Sequence, residues 1–123
     1  MRELLMKLSN RMWSVYFAWT MEYAARKIPM PKHLEAKEPF AVHRFCIDSN
    51  HHVNNGKYVL MAEEFLPEQF LVSELRVEYR KAAVLGDIMY PFVENTEEKI
   101  AVVLADKEKS PYAIIEFFGG RND

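Results

Sequence analysis

Hydrophobic and polar positions alternate along most of this chain. Leu71, Ser73, Leu75, Val77 and Tyr79 alternate with Glu74, Arg76, Glu78 and Arg80. Period two over that length predicts a strand with one face turned inward. Similar runs predict strands from Ile88 to Val93, Ile100 to Ala105 and Tyr112 to Phe118, joined by turns at "LGD" (85–87), "ENTEE" and "DKEKSP". Upstream, "FAVHRFCI" (40–47) predicts a buried strand. Trp13, Val15, Phe17, Trp19 and Met21 alternate with smaller or polar residues and predict an aromatic-rich strand, after a weakly helical stretch at 1–11. "KIPMPKHLEAKEP" (27–39), with three prolines and many charges, predicts an irregular surface connector. Only one segment changes period: Tyr58, Met61, Ala62 and Phe65 fall at i, i+3, i+4 and i+7, a helix that Pro67 ends. It is apolar enough to be buried. One buried helix against an antiparallel meander is an α+β layout.

A polar island, "DSNHHVNNGKY" (48–58), separates the 40–47 segment from the helix. Three readings fit its residue types. A metal site would use Asp48, His51 and His52, but adjacent histidines on an extended chain point to opposite sides, and His33 and His43 are isolated. A capping turn would use Asp48, Asn54 and Asn55 to satisfy the free amides of the helix start, which leaves both histidines without a role. A catalytic loop would use those amides and the positive end of the helix dipole to polarise a carbonyl. Asp or His beside them would activate water, and the apolar helix would line a pocket for an acyl chain.

Composition narrows the setting. The 123 residues are one domain's worth, half of them hydrophobic, with eight Phe, six Tyr and two Trp. A net charge of −2 from 16 basic and 18 acidic residues gives no nucleic-acid footprint. The lone Cys46 permits no internal disulfide, which suits a reducing, cytoplasmic compartment. It lies in an apolar segment and reads as core rather than nucleophile. No apolar run is long enough to span a bilayer.

The spacing within the island resembles the signature of acyl-acyl-carrier-protein thioesterases, D-x-N-x-H-V-N-N-x-K-Y. Glu64, Pro67 and "SELRVEYRK" (73–81) extend the match, which covers residues 40–119 and is most specific from Asp48 to Lys81. The resemblance implies the hot-dog fold, an antiparallel sheet curved around a central helix, working as a homodimer or paired with another hot-dog unit. It implies hydrolysis of a fatty acyl thioester carried by acyl-carrier protein or CoA, with no cofactor. The family's catalytic Asp, Asn and His fall on Asp48, Asn50 and His52. His52 would activate water, Asn50 would help hold it and Asp48 would orient both. Asn55 and nearby amides would bind the thioester carbonyl, with Tyr58 and Arg80 also at the substrate. His51 takes the motif's variable position.

Two departures stand out. The family has Glu and then Cys after its E-Y-R-R run, where this chain has Ala82 and Ala83. Glu64, on the helix, could supply the missing carboxylate; its bland reading is a surface charge at the helix end. Second, the family carries two hot-dog units in tandem. Residues 1–37 resemble the closing strand and linker of a first unit, and 38–123 a second. The expectation is a trimmed or truncated two-unit chain, or a protomer that recreates the pair by dimerising. The aromatics at 13–19 would then face a partner. Arg76, Arg80 and Lys81 read as a strand face with cross-strand pairs, or as a docking patch for an acidic carrier or a pantetheine phosphate.

Overall fold

The alternating segments form the sheet. The computed structural model describes residues 6–7, 28–49 and 51–121. Among these, β1 (Met6–Lys7), β2 (Glu35–Ala36), β3 (Phe40–Ala41), β4 (Phe70–Tyr79), β5 (Ile88–Asn95), β6 (Lys99–Ala105) and β7 (Pro111–Arg121) are strands, and α1 (Asn55–Glu63) is a helix. The sheet runs β1-β4-β7-β6-β5-β2, with β3 also paired to β5, and every pairing is antiparallel. The strand expected at 13–21 lies outside the described residues. Met6 and Lys7, in the stretch read as weakly helical, instead pair with Leu75 and Glu74 of β4.

The helix packs on one face of the sheet. Val59 and Ala62 share one buried core with Leu75, Val77, Met89, Ile115 and Phe117, all with 2 % exposure or less. The expected helical face divides in two. Tyr58, Val59 and Ala62 turn to the sheet, whereas Met61 and Phe65 are half-buried on the flank. The helix therefore presents a second apolar stripe away from the sheet.

The opposite face of the sheet is also covered. Ile28, fully buried, packs with Val103, Ala105 and Ile114, with Leu34 and Phe92 against them. Segment 28–37 is thus anchored rather than loose. The Ile28 amide donates to Glu78 Oε1, its carbonyl accepts from Arg80 Nη2 at 2.9 Å, and the Lys37 amide donates to the Pro91 carbonyl. This two-sided cover explains why β6 is buried along almost its whole length.

Two expectations are corrected. Segment 40–47 is a strand only at Phe40–Ala41. The Val42 amide then bonds the Asp87 carbonyl, and Arg44–Cys46 tighten into a 3-10 turn that buries Cys46 and leaves Phe45 exposed. In β4, the alternation changes phase. Phe70 and Val72 face inward, the register with β7 shifts between Val72 and Glu74, and Leu75 and Val77 face inward beyond it. The bulge at Ser73 leaves Leu71 54 % exposed.

The bulge brings two backbones close. A Cβ on Gly119 would lie 1.9 Å from the Leu71 carbonyl oxygen, while one on Gly120 would meet nothing within 4 Å. Gly119→Ala should therefore lower unfolding stability by about 2 kcal/mol or more, and Gly120→Ala by under about 0.5 kcal/mol. Urea denaturation of the two variants checks this; equal midpoints would refute it.

Candidate active site

The polar island is a tight turn tied at both ends. The Asn54 amide donates to the Cys46 carbonyl, Ile47 bridges Val53, and the Asp48 amide donates to the His52 carbonyl at 3.0 Å. The His51 amide closes the turn onto the Asp48 carbonyl, with His51 at φ 67. Residues opposite one another across an antiparallel pair share a face, with Cβ atoms about 5 Å apart. The spacing of four between Asp48 and His52 is thus what places both on one side of the turn.

Val53 carries the turn to the sheet. Its amide donates to the Ala83 carbonyl at 2.9 Å, and the Ala83 amide donates to Tyr58 Oη at 2.9 Å. The next residue, Asn54, caps the helix in extended conformation (φ −64, ψ 139). Its Oδ1 accepts from the Gly56 amide at 2.8 Å, and its carbonyl accepts from the Lys57 amide. Tyr79 Oη donates to the Asn55 carbonyl at 3.0 Å, and its ring lies 5.7 Å from that of Tyr58. The first turn of α1 is therefore pinned to the end of β4.

A cleft of about 540 Å³ opens over this arrangement. Asp48, His52, Asn55, Tyr58 and Arg80, five of the residues singled out in the sequence, line it together. Asn50 lies outside the described residues. His51 is exposed and does not line the cleft. Glu64 caps the far end of α1, nine residues from Asn55 and so about 13 Å along the axis. It lines a separate hollow. No three His, Cys, Asp or Glu side chains among the described residues gather as metal ligands.

Asn54, read as a cap, Lys81, read as part of a docking patch, and Ala82, read as the place of a lost carboxylate, also line the cleft; sequence reasoning missed Val53 and Tyr79. Tyr79 carried a signal: it ends the inward series of β4 beside the helix start. The two alanines prove different in kind. Ala82 is exposed and faces the cleft, whereas Ala83 is fully buried in the core. The basic residues are tied by ion pairs. Arg80 Nε meets Glu78 at 3.0 Å, and Lys81 pairs with Asp106 and lies over the Tyr112 ring. Arg76 points away from the cleft and meets Glu116 at 3.2 Å, as does Lys99 at 2.6 Å.

Burial pushes the Tyr58 hydroxyl above its ordinary value of 10.0, and Tyr79 rises far more through burial and the neighbouring Tyr58. Above pH about 10 the unfolded chain releases protons that the folded chain retains. Stability from these groups is complete below that pH and falls as pH rises through it. Urea midpoints should hold level to pH about 9 and drop by pH about 11. Tyr79→Phe should shrink that drop and cost about 1 kcal/mol at neutral pH through the lost bond to Asn55. An identical alkaline drop in the variant would contradict the assignment.

Residues 30–111 match the family model of the acyl-ACP thioesterase C-terminal domain. No curated protein matches the chain by sequence. Among solved structures, it is similar to an acyl-ACP thioesterase from Bacteroides thetaiotaomicron, with TM-score 0.61 and 15% identity over 80% of this chain and 44% of that one. A 12:0-ACP thioesterase from Umbellularia californica gives TM-score 0.64 and 20% identity over 77% and 40%. A Staphylococcus aureus protein in complex with CoA gives TM-score 0.57 and 16% identity over 76% and 73%. The shared architecture is the α+β hot-dog fold. The chain spans about two fifths of the length of the first two structures.

Proposed function

The chain belongs to the acyl-ACP thioesterase family through its C-terminal domain, and on that premise we propose that it hydrolyses fatty acyl thioesters of acyl-carrier protein or CoA. The observation that carries this reading is the convergence of Asp48, His52 and Asn55 on one cleft at the start of an apolar helix. His52 takes a proton from water as the water oxygen attacks the thioester carbonyl. Asp48, opposite it across the turn, orients the imidazole. Asn50 helps hold the water. The developing oxyanion is met by the Asn55 carboxamide, whose backbone Tyr79 fixes. As the carbon–sulfur bond breaks, His52 returns the proton to the departing thiolate, which leaves a fatty acid and a free thiol. Arg80 and Lys81, at the cleft's edge, face the pantetheine arm of the carrier. Glu64 serves a different hollow and is not assigned a step.

A second reading has its own observation. Ala82 lines the cleft where the family motif places a carboxylate. The chain would then be a hot-dog module that holds an acyl group, or pairs with another unit, without cleaving the thioester.

Thiol release from dodecanoyl-CoA and dodecanoyl-acyl-carrier protein decides between them. Under the first reading His52→Ala lowers kcat/KM by about 100-fold or more, and His51→Ala changes it by less than about threefold. Equal rates for wild type and His52→Ala would overturn it. Under the second, wild type releases no thiol, acyl ligands raise its melting temperature, and Ala82→Glu brings turnover. No release and no thermal shift would refute that reading too.

A further inference from the structure

Tyr58 carries a polar atom into the base of the helix. The residue is 2 % exposed, yet it lines the cleft together with Asn55 and His52. Its Oη accepts from the Ala83 amide at 2.9 Å. A phenol oxygen both accepts and donates, so this bond occupies a lone pair and leaves the proton free to donate. Among the described residues Oη meets no second polar partner. A buried donor without an acceptor is costly, and the open volume beside this one is the cleft. Burial also holds the phenol above its ordinary value of 10.0. It therefore stays protonated at neutral pH and acts as a donor, never as the base.

The helix sets another donor beside it. Asn55 and Tyr58 stand at i and i+3 in α1, neighbours on one face with Cβ atoms about 5–6 Å apart. Both line the cleft from the helix side, while Asp48 and His52 come from the turn. Tyr79 braces the pair: its Oη donates to the Asn55 carbonyl, and its ring lies 5.7 Å from that of Tyr58. A carbonyl oxygen has two lone pairs and takes two hydrogen bonds, which strengthen as it gains charge. We propose that the Tyr58 hydroxyl is a second donor to the thioester carbonyl oxygen, beside the Asn55 carboxamide, and meets the oxyanion as it forms. The inference rests on the hydrolytic reading for its substrate class. It also gives the buried Ala83 amide a use, which is to hold the phenol oxygen so that its proton is offered to the cleft.

Two uncleavable ligands separate this role from packing. Dodecyl-CoA keeps the carrier and the chain but has no carbonyl oxygen. 2-Oxotridecyl-CoA is a thioether with a ketone oxygen next to the sulfur-bound carbon. By calorimetry, wild type should bind the ketone about tenfold more tightly than dodecyl-CoA. Tyr58→Phe should cut that preference by about fivefold and leave dodecyl-CoA affinity within about twofold. With dodecanoyl-CoA as substrate, its kcat should fall about 100-fold and its KM change by less than about threefold. Tyr58→Phe also takes the acceptor from the Ala83 amide, so Val59→Ala serves as a destabilised comparison. Val59 is fully buried on the sheet side of the same helix, and its variant should keep the ketone preference. Asn55→Ala, at an exposed position, should lower the preference only in part. If thioesters are cleaved but Tyr58→Phe leaves kcat and the ketone preference unchanged, the hydroxyl is not a carbonyl donor although the hydrolytic reading stands. If nothing is cleaved but the ketone is preferred and Tyr58→Phe removes the preference, the donor stands and the hydrolytic reading falls. A wild type with no ketone preference, or a Val59→Ala variant that loses as much of it as Tyr58→Phe, overturns the proposal. Should Tyr58→Phe not fold, Asn55→Ala decides: a residual preference supports the second donor, and complete loss refutes it.

Discussion

Ala83 ties the site to the sheet through its backbone. Its carbonyl accepts from Val53 and its amide donates to Tyr58 Oη, and the residue is fully buried. A buried amide that loses its partner costs about 1–3 kcal/mol, so these bonds fix whatever they hold. Val53 is the return strand of the turn that sets Asp48 opposite His52. Tyr58 lies one helical turn from Asn54 and Asn55. One short span of chain after β4 thus orients both halves of the cleft, the polar turn and the helix start. Tyr79 closes the same frame from β4 itself. Backbone hydrogen bonds to a rigid sheet are how this chain holds these groups in place.

The helix serves two surfaces with one set of residues. Tyr58, Val59 and Ala62 are buried toward the sheet, while Leu60, Met61 and Phe65 line an outer hollow. The 40–47 segment shapes that hollow by leaving the sheet after Ala41. The 3-10 turn swings Phe45 outward and Cys46 inward, so a wall of two residues faces the helix. Had 40–47 continued as a strand beside β5, the outer stripe would face solvent alone. The polar turn begins directly after this wall, and Asp48 and Asn54 border both the cleft and a hollow beside it.

Periodicity made β5, β6 and β7 legible, because each alternates or is uniformly apolar without interruption. It also located the helix and β4. The phase of β4 was not legible: Leu71 and Leu75 are both apolar, and only the bulge at Ser73, forced by backbone approach at Gly119, separates their faces. The face of α1 was half legible, since apolar residues occupy two stripes and a single-period reading merges them. Segment 40–47 looked like a strand because its composition is apolar, but its hydrogen bonds go to the 84–87 turn, a non-local partner that composition does not reveal. The motif spacing was the strongest signal for the site. It grouped Asp48, His52, Asn55, Tyr58 and Arg80, which the fold brings to one cleft. It drew Glu64 in only as a substitute, and helix length alone carries that side chain to another hollow.

The two alanines that break the family pattern differ in consequence. At Ala83 the backbone makes both bonds that matter and the side chain packs in the core, so a small apolar residue satisfies every demand the structure places there. Ala82 instead leaves open space on the cleft wall. Of the side chains lining the cleft among the described residues, Asp48 is then the carboxylate, and Arg80 and Lys81 have theirs elsewhere, at Glu78 and Asp106. On the hydrolytic reading, the turn sets Asp48 opposite His52 independently of residue 82. What a carboxylate at 82 would add is a second acceptor on the far side of the water. On that reading, its loss bears on how firmly water is oriented.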